Sequence, residues 1–254
     1  MRTDADTVWS DYLKSFHHEH PGITEDVLAR AVSRHGLNPY QWITAPIPHG
    51  SRTLDVACGS GPCLRVRPHE PWIGLDSSVD ELDRARAHGT SNVVLGNATS
   101  LPFDDATFDD VICSMAVMII QPLAEALKEI RRVLRPGGMF VVTMPGRRKL
   151  RPRDVARYGR LVTRMGRCRL TYPNEEIMMR ARSVFASTGF HVIDDVRLPF
   201  LFPIESRADS ALLVRSLYLP TVDEPTLIRG ERVAMRWVKS DIVIPLRRIT
   251  LQSN

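Results

Sequence analysis

The chain has no long hydrophobic run. Nowhere in its 254 residues do about 18 apolar residues follow one another, so the pattern excludes a membrane-spanning helix. Cysteine is scarce: Cys58, Cys63, Cys113 and Cys168 are the only four, and they show no paired metal-ligand spacing. No metal is expected, and the thiols read as reduced, as in a cytoplasmic protein. Lysine is scarce relative to arginine, with only Lys14, Lys128, Lys149 and Lys239 among 34 basic residues. GC-rich coding gives such a skew, so the net charge of +5 says little about partners. The opening "MRTDADTVWSDYLKSFHHEH" lacks the charged-then-apolar order of a signal peptide. Repeats and low-complexity tracts are also missing.

Short apolar runs alternate with helical patterns from Thr53 onward, the mark of a parallel sheet covered on both faces. Strands are expected at 52–57, 72–76, 92–96, 109–114 and 139–144. "PLAEALKEIRRVLRPGG" repeats Leu123, Leu127, Ile130, Val133 and Leu134 at helical spacing and stops at Pro136-Gly137-Gly138. Before the sheet, "TEDVLARAVSRHG" predicts a helix capped by Thr24 and ended by Gly36, and the prolines of "NPYQWITAPIP" then break the pattern. Later helices are expected over 153–165, over 174–189 with Asn174 as cap, and near 206–218 and 223–239. The closing "DIVIPLRRITL" alternates like an edge strand, where its proline would be tolerated.

The chemistry starts at "TLDVACGSGP", where an apolar strand holding Asp55 runs into a turn with Gly59 and Gly61. A dinucleotide fingerprint needs a third glycine, but Leu64 stands there, and Pro68 closes the following helix early. No Gly-Lys-Ser/Thr follows, which rules out a nucleoside triphosphate loop of the Walker type. Further along come "WIGLDSS" with Asp76, "GNATSLPFDDATFDDVICS" with Asn97, and "ALKEIRRVLRPGGMFVVT".

In family order, these four stretches over about 50–145 resemble the motifs of class I S-adenosylmethionine-dependent methyltransferases, of the small-molecule type that includes ubiquinone and menaquinone biosynthesis. Departures are Ala57 for the first glycine, Ser60 for threonine and Asn97 for aspartate. The resemblance implies an α/β, Rossmann-like fold, a seven-stranded mostly parallel sheet with helices on both faces and a helical cap. It also implies S-adenosylmethionine as cofactor. Backbone at Ala57, Gly59 and Gly61 would pass close to it, flanked by Asp55, Cys58 and Ser77. Asp76 would hold the ribose, and Asn97, Ala98 and Thr99 the adenine. Ser114, Met115 and Ala116 would meet the methionine end, and a neighbouring helix N-terminus would suit its carboxylate.

An Asn/Asp-Pro-Pro-Tyr after the fourth strand is missing, as is a Pro-Cys nucleophile; "CSMAVMIIQP" stands there instead. The expected acceptor is therefore an O or N atom of a small molecule, such as an aromatic or heterocyclic secondary metabolite. Residues 1–48 would form a helical lid on a domain of 49–254, with a cap insertion about 200–240. His18 and His20 in "SFHHEHPG" are the candidate bases, set against a solvated helix end. Trp9, Tyr12, Tyr40, Trp42 and Met118 are candidate substrate walls, set against simple core filling. Residues 147–169 carry ten Arg or Lys and one acid, which keeps an RNA-modifying enzyme open as the alternative. A non-catalytic protein that kept this fold is the other. A monomer or homodimer is expected.

Overall fold

The computed structural model describes residues 4–146, 150–166 and 170–254, with the side chains of 4–7 left aside. Arg147, Arg148, Lys149, Arg167, Cys168 and Arg169 lie outside the described residues. The sheet has seven strands: β1 (Thr53–Val56), β2 (Trp72–Asp76), β3 (Val93–Leu95), β4 (Phe108–Ser114), β5 (Leu134–Pro145), β6 (Phe190–Ile204) and β7 (Ser240–Ser253). Their order is β3-β2-β1-β4-β5-β7-β6, with β7 antiparallel to both neighbours. After β1 the chain builds outward through β2 and β3, then returns to place β4 on β1's other side. The carboxyl ends of β1 and β4 thus flank the switch point where open α/β sheets take ligands.

Central strands are largely apolar because both faces are covered, with Asp55 the buried exception in β1. Leu54, Val56, Val111, Ile112 and Cys113 are fully buried. One face packs against α6 (Leu123–Val133) and α8 (Glu175–Ala186), through Leu127, Ile130, Ile177 and Phe185. The other packs against α3 (Pro39–Thr44), α4 (Pro62–Val66), α5 (Val79–Ala87), α7 (Pro152–Arg164), α9 (Arg207–Arg215) and α10 (Glu224–Ala234). Between β6 and β7, α9 and α10 form the insertion, and α7 packs on α10. At the N-terminus, α1 (Asp4–Glu19) and α2 (Ile23–Leu28) lie against α5 and α9. Among the described residues no helix is long and apolar enough to cross a membrane, and no group of three His, Cys, Asp or Glu could hold a metal.

Local expectations fail in four places. The helix expected from Thr24 to Gly36 is only α2. Its N-cap is Gly22 at φ 74°, and past Leu28 the chain extends so that Val32 bridges Leu201 of β6. "NPYQWIT" does not break helix but makes α3: Asn38 and Gln41 form a capping box and Pro39 starts the first turn. Asn174 stands at the N-cap of α8 but makes no side-chain cap bond; its side chain is turned so that Nδ2 donates to Val117 O and Ile120 O instead. β7 is interior rather than at the edge. Its Pro245 is tolerated because it lies opposite Pro199 of β6, while its carbonyl faces the other way to accept from Gly146 N. The β6–β7 ladder therefore needs no N–H at that pair.

Candidate active site

The turn after β1 is bent by three left-handed residues: Ala57 at φ 56°, Gly59 at 54° and Gly61 at 77°. Alanine in that region carries about 1–2 kcal/mol of strain that glycine would not. Two hydrogen bonds set the bend, Cys58 N to Leu75 O and Gly61 N to Cys58 O, each 3.0 Å. Gly74 of β2 completes it: a Cβ there would lie 2.7 Å from Cys58 Sγ. The expected anion site at a helix N-terminus is not built here. α4 has five residues and begins at Pro62, which has no N–H to offer.

Asp76, at the end of β2, faces this turn. Its Oδ2 accepts from Gly59 N at 2.8 Å and its Oδ1 from Ser78 N at 2.9 Å. Burial pushes its carboxyl above the usual range, against the lowering effect of those two bonds and of nearby His17. An ionised carboxylate has about four lone-pair sites, so two remain open. Asp55 is 1% exposed, and neither of its oxygens meets a nitrogen or hydroxyl donor among the described residues. Burial first and Asp76 second push it well above the carboxylate range, with the Cys63 thiol as its polar neighbour. Burial also pushes up the Cys58 and Cys63 thiols, so they are packing groups rather than nucleophiles.

Two more loops reach the same end of the sheet. Asn97 is exposed, and its Oδ1 accepts from Thr99 N and Oγ1, both at 3.0 Å, which leaves its NH2 as the free group. Ala98 is buried beneath that turn, while Ser77 is exposed beside Asp76. After β4, Ser114 Oγ meets Thr143 Oγ1 at 3.2 Å, and Met115 turns left-handed at φ 56°. Ala116 is buried, and its carbonyl accepts from Ile119 and Ile120. Asn174 then fixes this loop from outside, donating to Val117 O at 2.9 Å and Ile120 O at 2.6 Å.

The N-terminal helices close over the turn through charged pairs. Glu25 of α2 accepts from Ser60 Oγ and pairs with Arg65. Arg84 of α5 reaches Asp26 at 2.6 Å and Pro21 O at 2.7 Å. Glu81 of α5, only 4% exposed, accepts from Gly22 N at 3.0 Å and lies 2.9 Å from His17 Nδ1. A Cβ on Gly59 would meet Glu81 Oε2 at 3.6 Å, so this carboxylate sits directly over the glycine turn. The other ring nitrogen of His17, Nε2, is 3.5 Å from the Tyr218 hydroxyl. Burial raises the Tyr218 phenol and holds Tyr172 up at about 12, so both stay protonated donors.

The candidate residues read from sequence separate into groups. Ala57, Cys58, Gly59, Gly61 and Asp76 come together at the turn. His18 is on the surface, its side chain 75% exposed beside Asp80, and His20 packs edge-on to Phe16. Tyr12 is near the cap, its hydroxyl accepting from Leu219 N at 2.8 Å, and Trp9 stacks edge-on to it. Tyr40 and Trp42 are corrected to core residues. Both are 4% exposed, and Trp42 is wedged between Phe200 and the Arg248 guanidinium. Met118, 1% exposed, fills the space under the β4 loop. A cleft of about 520 Å³ elsewhere is lined by Pro145, Met178, Met179, Arg197 and Arg247, and its arginines face Asp195. It shares no residue with the turn.

Residues 54–142 match the family model described as a methyltransferase domain. An uncharacterized protein of Methanocaldococcus jannaschii, MJ1252, is 33% identical over 144 residues, which is 53% of this chain and 57% of that protein. The demethylmenaquinone methyltransferase of Symbiobacterium thermophilum is 38% identical over 104 residues, 36% of this chain and 41% of its own. The chain thus spans less than two thirds of the length of these curated relatives. Among solved structures, the (4+2)-cyclase SpnF superposes with a TM-score of 0.54 at 20% identity, over 84% of this chain and 80% of that one. At that identity the likeness is one of fold.

Proposed function

We propose, since the chain belongs through residues 54–142 to the class I S-adenosylmethionine-dependent methyltransferases, that it methylates an O or N atom of a small molecule. The single observation that carries this is the pairing of the glycine turn with Asp76. Two backbone N–H groups already orient the carboxylate, and two of its lone-pair sites remain. The residues fit the cofactor. Asp76 would hold the ribose hydroxyls, the turn at Gly59 would take its close approach, and the Asn97 amide would face the adenine. When bound, the cofactor supplies an electrophilic methyl on a sulfonium. The chain's own part is alignment: the Met115 loop, tied by Asn174, and the helices over Ser60 hold an acceptor in line.

The helices α1, α2, α9 and α10 serve as the cap in this reading. A small acceptor is favoured over RNA by the described part of 147–169. Arg151 and Arg153 reach Asp241 at 2.5 and 2.6 Å, and Arg151 and Arg157 also flank Asp154, which is fully buried. These guanidiniums hold α7 to β7 instead of presenting a row to phosphates. Isothermal titration with S-adenosylhomocysteine, with NAD as comparison, tests the proposal. Micromolar binding of the first alone is expected, and tighter binding of NAD would overturn it.

A further inference from the structure

We propose that the cleft between α8 and the β6–β7 ladder is a second ligand site, which takes a small carboxylate with an apolar body. The site goes beyond the methyltransferase reading, and its test uses no cofactor.

Like charges directly opposite each other on paired strands are unfavourable, yet Arg247 of β7 and Arg197 of β6 are register partners. Side chains so placed share a face of the sheet. Here they line the cleft of about 520 Å³ together with Pro145, Met178 and Met179. Arg247 is only 7% exposed, and a buried cation is costly unless it is answered. Asp195 answers it with both oxygens, at 2.8 and 2.7 Å, and the Met178 carbonyl accepts from its Nη1 at 3.2 Å. Those bonds use three of the five N–H groups of a guanidinium. One is left on each terminal nitrogen, the complement of a two-oxygen anion. Asp195 is itself shared, since Arg197 lies 3.3 Å from its Oδ1. Arg247 first, then Arg197 and Arg182, hold that carboxyl below the usual range.

The rest of the lining is apolar and adaptable. Met178 and Met179 stand where α8 leaves helical geometry, at Arg180 (φ −123°, ψ 37°). Unbranched thioethers mould themselves to alkyl and ring bodies, and Pro145 adds an apolar wall at the carboxyl end of β5. No carboxylate is among the described residues of the lining. An inorganic anion would engage the guanidiniums and leave the methionines unused, and a neutral apolar body would do the reverse. The occupant that uses both is an alkyl or aryl carboxylate.

Hexanoate is the probe, titrated at fixed ionic strength into the full chain carrying carbon-13 at its methionine methyls. It should move the Met178 and Met179 methyls to saturation, with a Kd about tenfold below those of acetate, hexanamide and inorganic phosphate. Arg247→Met should raise the hexanoate Kd about tenfold or more, with circular dichroism to check the fold. That change also strips Asp195 of its main partner, so Met179→Glu is the second variant. At a position 59% exposed it sets a like charge beside the bound carboxylate without touching the core, and it should weaken hexanoate about tenfold. Hexanoate that leaves both methyls in place would overturn the site. So would a Kd that Met179→Glu leaves within about twofold, or one that acetate and phosphate equal. A shift of Met115, on the loop after β4, without Met178 and Met179 would put the ligand at the glycine turn and overturn the site as well.

Discussion

Replacing Asp76 by asparagine is the most informative single change. The carboxylate serves two masters, bending the turn through Gly59 N and Ser78 N while two lone-pair sites stay open. An amide in its place has one oxygen and two N–H donors, so either a backbone N–H or a ribose hydroxyl faces a donor. Charge-assisted hydrogen bonds contribute about 1.5–3 kcal/mol each and neutral ones about 0.5–1.5. Losing the charge on two ribose contacts therefore costs about 2–3 kcal/mol, or roughly a 30- to 150-fold rise in the Kd for S-adenosylhomocysteine. Titration calorimetry reads this directly, with circular dichroism as the check that the fold survives. Acid should mimic the variant. Burial raises Asp76's folded pKa, so it takes up a proton sooner than an exposed carboxylate as pH falls, and wild-type affinity should weaken in that window. A variant within threefold of wild-type affinity would refute the placement of the ribose.

Gly74→Ala forces a Cβ to 2.7 Å from Cys58 Sγ and should destabilise by about 1–3 kcal/mol in urea unfolding. Adding Cys58→Ala should recover part of the loss, and no recovery would place the strain elsewhere. Asn174→Ala leaves the Val117 and Ile120 carbonyls without their donor and should cost about 1–3 kcal/mol by the same assay. A loss below about 0.5 kcal/mol would mean that water takes over. Asp209, held at about 2 chiefly by Arg30, has a folded pKa below its unfolded one. Its contribution is present above the unfolded value and lost as pH falls toward about 2. Asp209→Asn should therefore cost about 1–2 kcal/mol near neutrality, allowing for the partly exposed Arg30, and the gap should close in acid. A gap unchanged by pH would show that the hydrogen bonds matter and the charge does not.

The parts of the fold that repeat with a short period were legible in the sequence. β1 to β5 follow from their apolar runs, the turn from its glycines, and the interest of Asp76 from the resemblance to the family's motifs. Features built by distant residues were not legible. α2 stops at Leu28 because the chain beyond it extends to pair Val32 with Leu201 of β6, far away in the sequence, and no periodicity records that. β7 looks like an edge strand because its proline seems to need one, and only its register against Pro199 removes the need. The surroundings of His18 and His20 were not legible either, since what sets one beside exposed Asp80 and the other edge-on to Phe16 is packing by distant and neighbouring side chains. A local signal was available at Asn38, where Asn-Pro-x-Gln marks a capped helix start, and the prolines that follow it masked that signal.

The charged pairs and the Glu25–Ser60 bond that join α1 and α2 to the rest of the molecule land on the glycine turn, α4 and α5. Such a seam, made of ions at partial exposure, is weakened by electrolyte. A nucleoside held at the Gly59 turn, as proposed above, would lie next to the pairs that Glu25 makes with Ser60 and Arg65. Its residence time would then depend on ionic strength as well as on its own contacts. Where escape limits turnover, added salt would quicken the enzyme even as it loosens the grip on the cofactor.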